Sequence, residues 1–261
     1  MAENRTKEGR RNGRPGDRVR RGAPVFRFAA LVALLVAALA GALAGWALPA
    51  AAGVAPGCRV PDPYIHFSTD LPRTERLVDL KRPIRTLVVG PAIEGPEVIE
   101  RRHSHLLAAL QQRLPAANFE LLDGWHGSRV AEEDFDRLRS EVADTKPDLI
   151  LWEVGTPDAL AASDPQDFGD VLTRAASWAK SQDIDVVFID PPYVPRVSHE
   201  PLYGKMVRAI NAVSVQARVN LFRRYAAMEY LDRSTPPTTA AGRPHCMSEL
   251  LAEAIVRAVT R

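Results

Sequence analysis

The chain reads as a three-layer α/β/α sandwich with a central parallel five-stranded sheet, preceded by one N-terminal transmembrane or signal helix. Three observations predict this. From residue 85 onward, short apolar runs alternate with amphipathic stretches of 12 or more residues; strands joined by helices of that length cross over in parallel and leave helices on both faces of the sheet. The length of 261 residues, 46% hydrophobic and 25% charged, is ordinary globular composition with room for one α/β domain and a targeting segment. Ahead of the alternation lies a run from Phe28 to Cys58 that carries no charge at all.

Taken in order, residues 1–27 form a basic tail, with nine Lys/Arg against three Asp/Glu. The formal net charge of +2 therefore divides into +6 in the tail and −4 in the remainder. Positive charge confined to a tail does not describe a nucleic-acid binder, and no nucleic-acid partner is expected. Residues 28–52 supply about 20 helical residues, roughly what crosses a 30 Å hydrocarbon layer. Arginines before them keep that end cytoplasmic, so the expectation is a single-pass inner-membrane protein with a periplasmic C-terminal domain. The small residues of Leu48-Pro-Ala-Ala-Ala-Gly53 leave open a cleaved signal and secretion. Val54-Ala-Pro-Gly before Cys58 is a poor lipoprotein signal.

Residues 53–84 contain Pro61, Pro63, Pro72 and Pro83 and read as an extended linker over the domain surface. The domain proper occupies 85–261. Thr86 to Gly90 is a buried strand, and Glu97 to Leu114 a helix with Val98, Ile99, His103, Leu106, Leu107 and Leu110 at helical spacing. Phe119 to Leu122 gives a second strand, ending in Asp123-Gly-Trp-His-Gly127. Glu132 to Thr145 is a helix with Phe135, Leu138 and Val142 on one face. Asp148 to Val154 is the third strand, Phe168 to Ser181 a helix, Asp185 to Ile189 the fourth strand. Pro201 to Val215 is a helix, Val219 to Phe222 the fifth strand, and Met247 to Val259 the closing helix. A ligand crevice belongs beyond the carboxyl ends of these strands.

Three segments carry a family resemblance: Pro147-Asp-Leu-Ile-Leu-Trp-Glu-Val-Gly155 with the Thr156-Pro157-Asp158 turn, Val186-Val-Phe-Ile-Asp190-Pro-Pro-Tyr193, and Asn220-Leu-Phe-Arg-Arg-Tyr-Ala-Ala-Met228. Over about residues 85–259 the chain resembles a bacterial branch of the SGNH (GDSL-like) hydrolases, a flavodoxin-like sandwich of ester hydrolases. The resemblance implies a Ser nucleophile after the first strand, oxyanion donors in the next two turns, and an Asp and a His before the closing helix. Here the nucleophile position holds Ala92, and no Ser or Cys lies between Thr86 and Arg102. Gly127 can keep an oxyanion role, since that role needs only a backbone N–H. Ser128 beside it is the nearest hydroxyl, either a displaced nucleophile or a turn residue before a helix. Pro157 replaces the oxyanion Asn and lacks an N–H as well. His245 is the one histidine before the closing helix, a general base or a surface histidine, and the Asp expected three residues before it is Gly242. An alignment that places the His near Thr239 puts the Asp near Pro236, so the Asp is missing either way.

Asp190 sits where a crevice would lie and also reads as an Asp-Pro turn opener. Glu153 faces either the crevice or the sheet. Trp125, His126, Trp152 and Tyr193 line a sugar-stacking surface or belong to the core. His103 and His105, two apart, share no helix face, no Cys/His cluster has metal-ligand spacing, and neither metal nor cofactor is expected. Gly90-Pro-Ala-Ile-Glu-Gly95 lacks the Lys-Ser/Thr of a phosphate loop. Cys58 and Cys246 either pair, or Cys246 is buried and unpaired. Three functions remain: a degenerate hydrolase binding an acylated or glycan ligand, an active esterase with a displaced nucleophile, and a membrane-anchored envelope structural or assembly protein.

Overall fold

Runs of Val, Ile, Leu and Phe bounded by Gly and Pro form five parallel strands: β1 (Pro83–Gly90), β2 (Asn118–Trp125), β3 (Leu149–Glu153), β4 (Asp185–Ile189) and β5 (Asn220–Phe222). In a computed structural model, which describes residues 54–91, 96–125, 129–196, 200–234 and 243–261, they pair in the order β2-β1-β3-β4-β5. The chain goes one way from β1 to β2, then crosses β1 to reach β3. The switch of direction lies between β1 and β3, where Leu87 pairs with Ile150 and Val89 with Trp152, and this is where open α/β sheets place their ligands.

Eight helices connect and flank the strands among the described residues: α1 (Pro72–Asp79), α2 (Pro96–Arg113), α3 (Ala131–Thr145), α4 (Thr156–Leu160), α5 (Pro165–Ser181), α6 (Pro201–Gln216), α7 (Arg224–Ser234) and α8 (Arg243–Val259). Alternation along β3 shows how the layers divide. Leu149 and Leu151 enter one core with α1, α2, α7 and α8, while Ile150 and Trp152 enter the other with α3, α5 and α6. Both faces are covered, so the strands read as continuous apolar runs.

The expected alternation is present, with displaced boundaries. β1 begins at Pro83, three residues before the expected Thr86, with proline at the first strand position, where no ladder N–H is lost. β2 continues through Gly124 and Trp125, paired with Val89 and Gly90, beyond the expected strand Phe119 to Leu122. The Pro-rich stretch expected to be an extended linker is packed: it buries Ile65, Phe67, Leu71 and Leu77 and contains α1, whose Pro72 starts the helix rather than breaking it.

Cys58 and Cys246 form a disulfide with their Cα atoms 5.0 Å apart across 188 residues, which settles the two alternatives for Cys246. Nearby, the Ala55 N–H donates to Glu249 Oε2 at 2.9 Å. Among the described residues no helix is long and apolar enough to cross a membrane; the 28–52 segment expected to do so lies outside them.

Candidate ligand crevice

β3 ends on Glu153 and enters its turn through Gly155 at φ +91°, a conformation that suits glycine; a Cβ there would also stand 3.0 Å from Ile210 Cδ1. That turn launches the single-turn helix α4, with Thr156 first and Pro157 second. Pro157 is buried and offers neither an amide side chain nor an N–H. Asp158 is 3% exposed and accepts the Ala131 N–H at 3.0 Å, holding the first turn of α3. Burial raises its carboxyl above the ordinary range, opposed by backbone hydrogen bonds. The Thr-Pro-Asp turn thus ties two helices together at the carboxyl end of β3.

On the other face of the sheet Glu153 points into a charged cluster, which settles its orientation. Its Oε2 lies 2.7 Å from Arg224 Nη1, with the two side chains 12% and 9% exposed, and its Oε1 accepts from Arg102 Nη1 at 3.2 Å. Arg224 also donates from Nε to the Asp190 carbonyl at 2.8 Å. Asp190, 1% exposed, follows β4; its Oδ1 accepts the Tyr225 N–H at 2.8 Å. Burial is the largest influence on that carboxyl and pushes it up to about 7, against the Tyr225 N–H and the Arg224 charge. Asp190 is therefore a tether between β4 and the start of α7, a stronger role than the Asp-Pro turn opener.

Above Asp190 the Tyr193 and Tyr225 rings meet edge to face, centroids 5.4 Å apart, and Tyr203 lies 6.2 Å from Tyr225. Of the four residues considered as an aromatic lining, Trp152 is a core residue, 1% exposed and edge to face with Phe188. Tyr193 is at the sheet edge, and the Trp125 side chain and His126 lie outside the described residues.

Beneath the cluster, a cavity of about 70 Å³ lies between the sheet and α2 and α8; its walls include Val88, Leu151, Ile189 and Met247, with Arg102, His103, Glu153, Arg224 and Ser248 providing its polar groups. Burial lowers the His103 imidazole below its usual range, so it is neutral at pH 7.

His245 stands apart from this cluster. It is exposed, in the first turn of α8, and its ring packs on His105 of α2 with centroids 4.0 Å apart. Among the described residues it has no carboxylate partner. Burial first, then the neighbouring His245, lowers the His105 imidazole. Ala92, Gly127, Ser128 and Gly242 lie outside the described residues. Arg102, Arg224 and Tyr225 were not singled out from sequence. The signal was two arginines, Arg223 and Arg224, directly after an apolar strand, which puts charge at the crevice edge.

The profile of the non-GDSL lipase-like family matches residues 57–261. The chain belongs to that family. Solved structures agree on the architecture: TesA, at 21% identity, superposes over 67% of this chain and 98% of its own with a TM-score of 0.51. Axe2, an acetylxylan esterase from Geobacillus stearothermophilus, is 14% identical and superposes over 68% of this chain and 94% of its own, TM-score 0.54. No curated protein matches the sequence. The fold is that of the SGNH hydrolases, as the three quoted segments implied.

Proposed function

We propose that this family member no longer hydrolyses esters and instead holds an acylated or glycan ligand at the crevice beyond β1, β3 and β4. The observation that carries the reading is Pro157: buried at the second position of α4, it removes both a side-chain donor and a backbone N–H from the turn where an ester hydrolase stabilises its oxyanion. Losing one such donor typically costs about 10²–10³ in turnover. Ala92 at the nucleophile position adds to this, because a methyl group forms no acyl-enzyme. His245 supports it from a third side, since its neighbour is His105 rather than a carboxylate.

The domain works outside the cytoplasm, tethered by residues 28–52 or released after their cleavage. The Cys58–Cys246 disulfide supports that placement, because such bonds persist in oxidising compartments.

A serine-directed fluorophosphonate probe tests the loss of the nucleophile. The natural protein is expected to stay unlabelled. Labelling that disappears in Ser128→Ala would replace this reading with an active esterase using a displaced serine.

A further inference from the structure

At the end of the sheet opposite the crevice, where Pro147 leads into β3 and Ile184 into β4, α3 and the end of α5 border an open cavity of about 640 Å³. That volume falls within the roughly 300–1,000 Å³ usual for small-molecule sites. Trp178 of α5 is the one aromatic side chain among the described residues that line it. It is half-buried and held edge to face on Phe135 of α3, with centroids 5.7 Å apart. An indole braced in this way offers a flat apolar surface that needs little further ordering when a guest stacks on it.

The polar groups around the indole carry both signs. Arg73, Arg139 and Lys146 stand with Asp136 and Asp183. Arg73 lies 3.3 Å from Asp183 and 2.7 Å from Asp148, so the three cations are balanced by three carboxylates, and neither an anion nor a cation is favoured. Lys146 at φ 47° and Asp183 at φ 55° directly follow α3 and α5. Glycine is usual at such left-handed helix ends, and here each carries a side chain that lines the cavity. Ser140 and Gln182 add neutral groups that both donate and accept. The matching guest is uncharged, with donors and acceptors around its edge and an apolar face for the indole. A pyranose ring has both, its hydroxyls around the rim and its axial C–H groups on a face. An acyl chain would desolvate the polar groups without replacing their hydrogen bonds, and a Pro-rich peptide docks in a groove lined by aromatic rings rather than against one.

We propose that this cavity is a carbohydrate-binding site for a neutral disaccharide or a stretch of neutral glycan, with one sugar ring stacked on Trp178 and its hydroxyls on Asp136, Ser140 and Gln182. It is a second site, independent of the reading given for the crevice.

The test is ¹⁹F NMR of the full-length protein labelled with 5-fluorotryptophan, in micelles of a detergent without a sugar headgroup. The chain has four tryptophans, and the Trp178 resonance is the one missing from Trp178→Phe. Cellobiose, maltose, xylobiose and N,N′-diacetylchitobiose are each titrated, beside sorbitol, an acyclic polyol without a ring face, and decaproline. At least one disaccharide should shift the Trp178 resonance saturably with a Kd of about 1 mM, the range of small polar ligands. The resonance of Trp152, a core residue, should stay in place, and sorbitol should move neither. Asp136 and Gln182 are exposed, so their alanine variants fold; each should weaken binding of that sugar about fivefold, the worth of one hydrogen bond. No saturable Trp178 shift with any of the four sugars, or an equal response to sorbitol, overturns the assignment. A shift with decaproline alone overturns it in favour of a peptide site. Sugar binding that leaves Trp178 unmoved, or that both alanine variants leave intact, lies elsewhere and overturns it as well. None of these outcomes bears on ester turnover, so the reading of the crevice stands or falls separately.

Discussion

Glu153 and Arg224 show how a single buried charge pair sets the stability of the crevice. Both side chains are about nine-tenths buried; removing Glu153 leaves Arg224 without a salt bridge among the described residues, whereas removing Arg224 leaves Glu153 its second partner, Arg102. Glu153→Leu alone should therefore cost about 3–5 kcal/mol, whereas Glu153→Leu with Arg224→Met should cost far less. Denaturant unfolding of both variants checks this, and equal losses would mean that the two side chains are not energetically coupled.

Asp190 and Asp134 make a second residue-scale prediction. Burial raises each carboxyl from 3.8 to about 7, so between those values the native state holds protons that the unfolded chain has released. Their contribution to stability then falls as pH rises from about 4 to about 7 and levels off above that window, the reverse of the usual carboxylate behaviour. Asp190→Asn should flatten this slope in urea unfolding at several pH values. A slope identical to that of the natural protein would show that Asp190 titrates normally.

At the scale of elements, the N-terminal segment of the domain is held by two carboxylates and one amide at the starts of the strands. Asp185 accepts from the Thr74 N–H and Oγ1, both at 2.8 Å. Asp148 accepts from Arg73 Nη2 at 2.7 Å and from the Arg85 N–H at 3.0 Å. Asn220 Oδ1 accepts from the Thr69 N–H and Oγ1. None of these ties could be read from the prolines of residues 59–82, because a proline that opens a helix and one that breaks a chain look alike until the partners 70 to 150 residues away are known. The strands were legible as continuous apolar runs and the long helices through the period that burial imposes on them; α1, α4 and α7 are short and take their identity from tertiary contacts.

The disulfide completes this attachment, closing the domain from residue 58 to 246. In the chain-entropy account a loop of that size contributes about 5 kcal/mol. Cys58→Ser/Cys246→Ser should therefore melt well below the natural protein in a thermal scan, whereas an unchanged midpoint would mean that the neighbouring packing of α8 holds the segment unaided.

Over the whole molecule, the parallel sheet was accessible from the alternation of elements and the family from three strand-end segments, while the strand order and its switch point between β1 and β3 emerge only from the pairing of the strands. The crevice was only half legible. Pro157 and Asp190 lie in the strand-end turns where the sequence put them, and a substitution such as Asn to Pro can be judged from chemistry alone. The orientation of Glu153 and its capture by Arg102 and Arg224 could not be judged, since they depend on which sheet face α2 and α7 cover. Charge is also segregated at this scale: +6 in residues 1–27 and −4 in the rest.

We propose that the fold of an ester hydrolase persists here without the hydrolysis. Turnover of p-nitrophenyl acetate by the full-length protein, measured beside its His245→Ala form and beside Ala92→Ser/Pro157→Asn, tests it most directly. The account predicts no turnover above buffer from the natural protein and a measurable gain from the double replacement. Turnover by the natural protein that disappears with His245→Ala would contradict it.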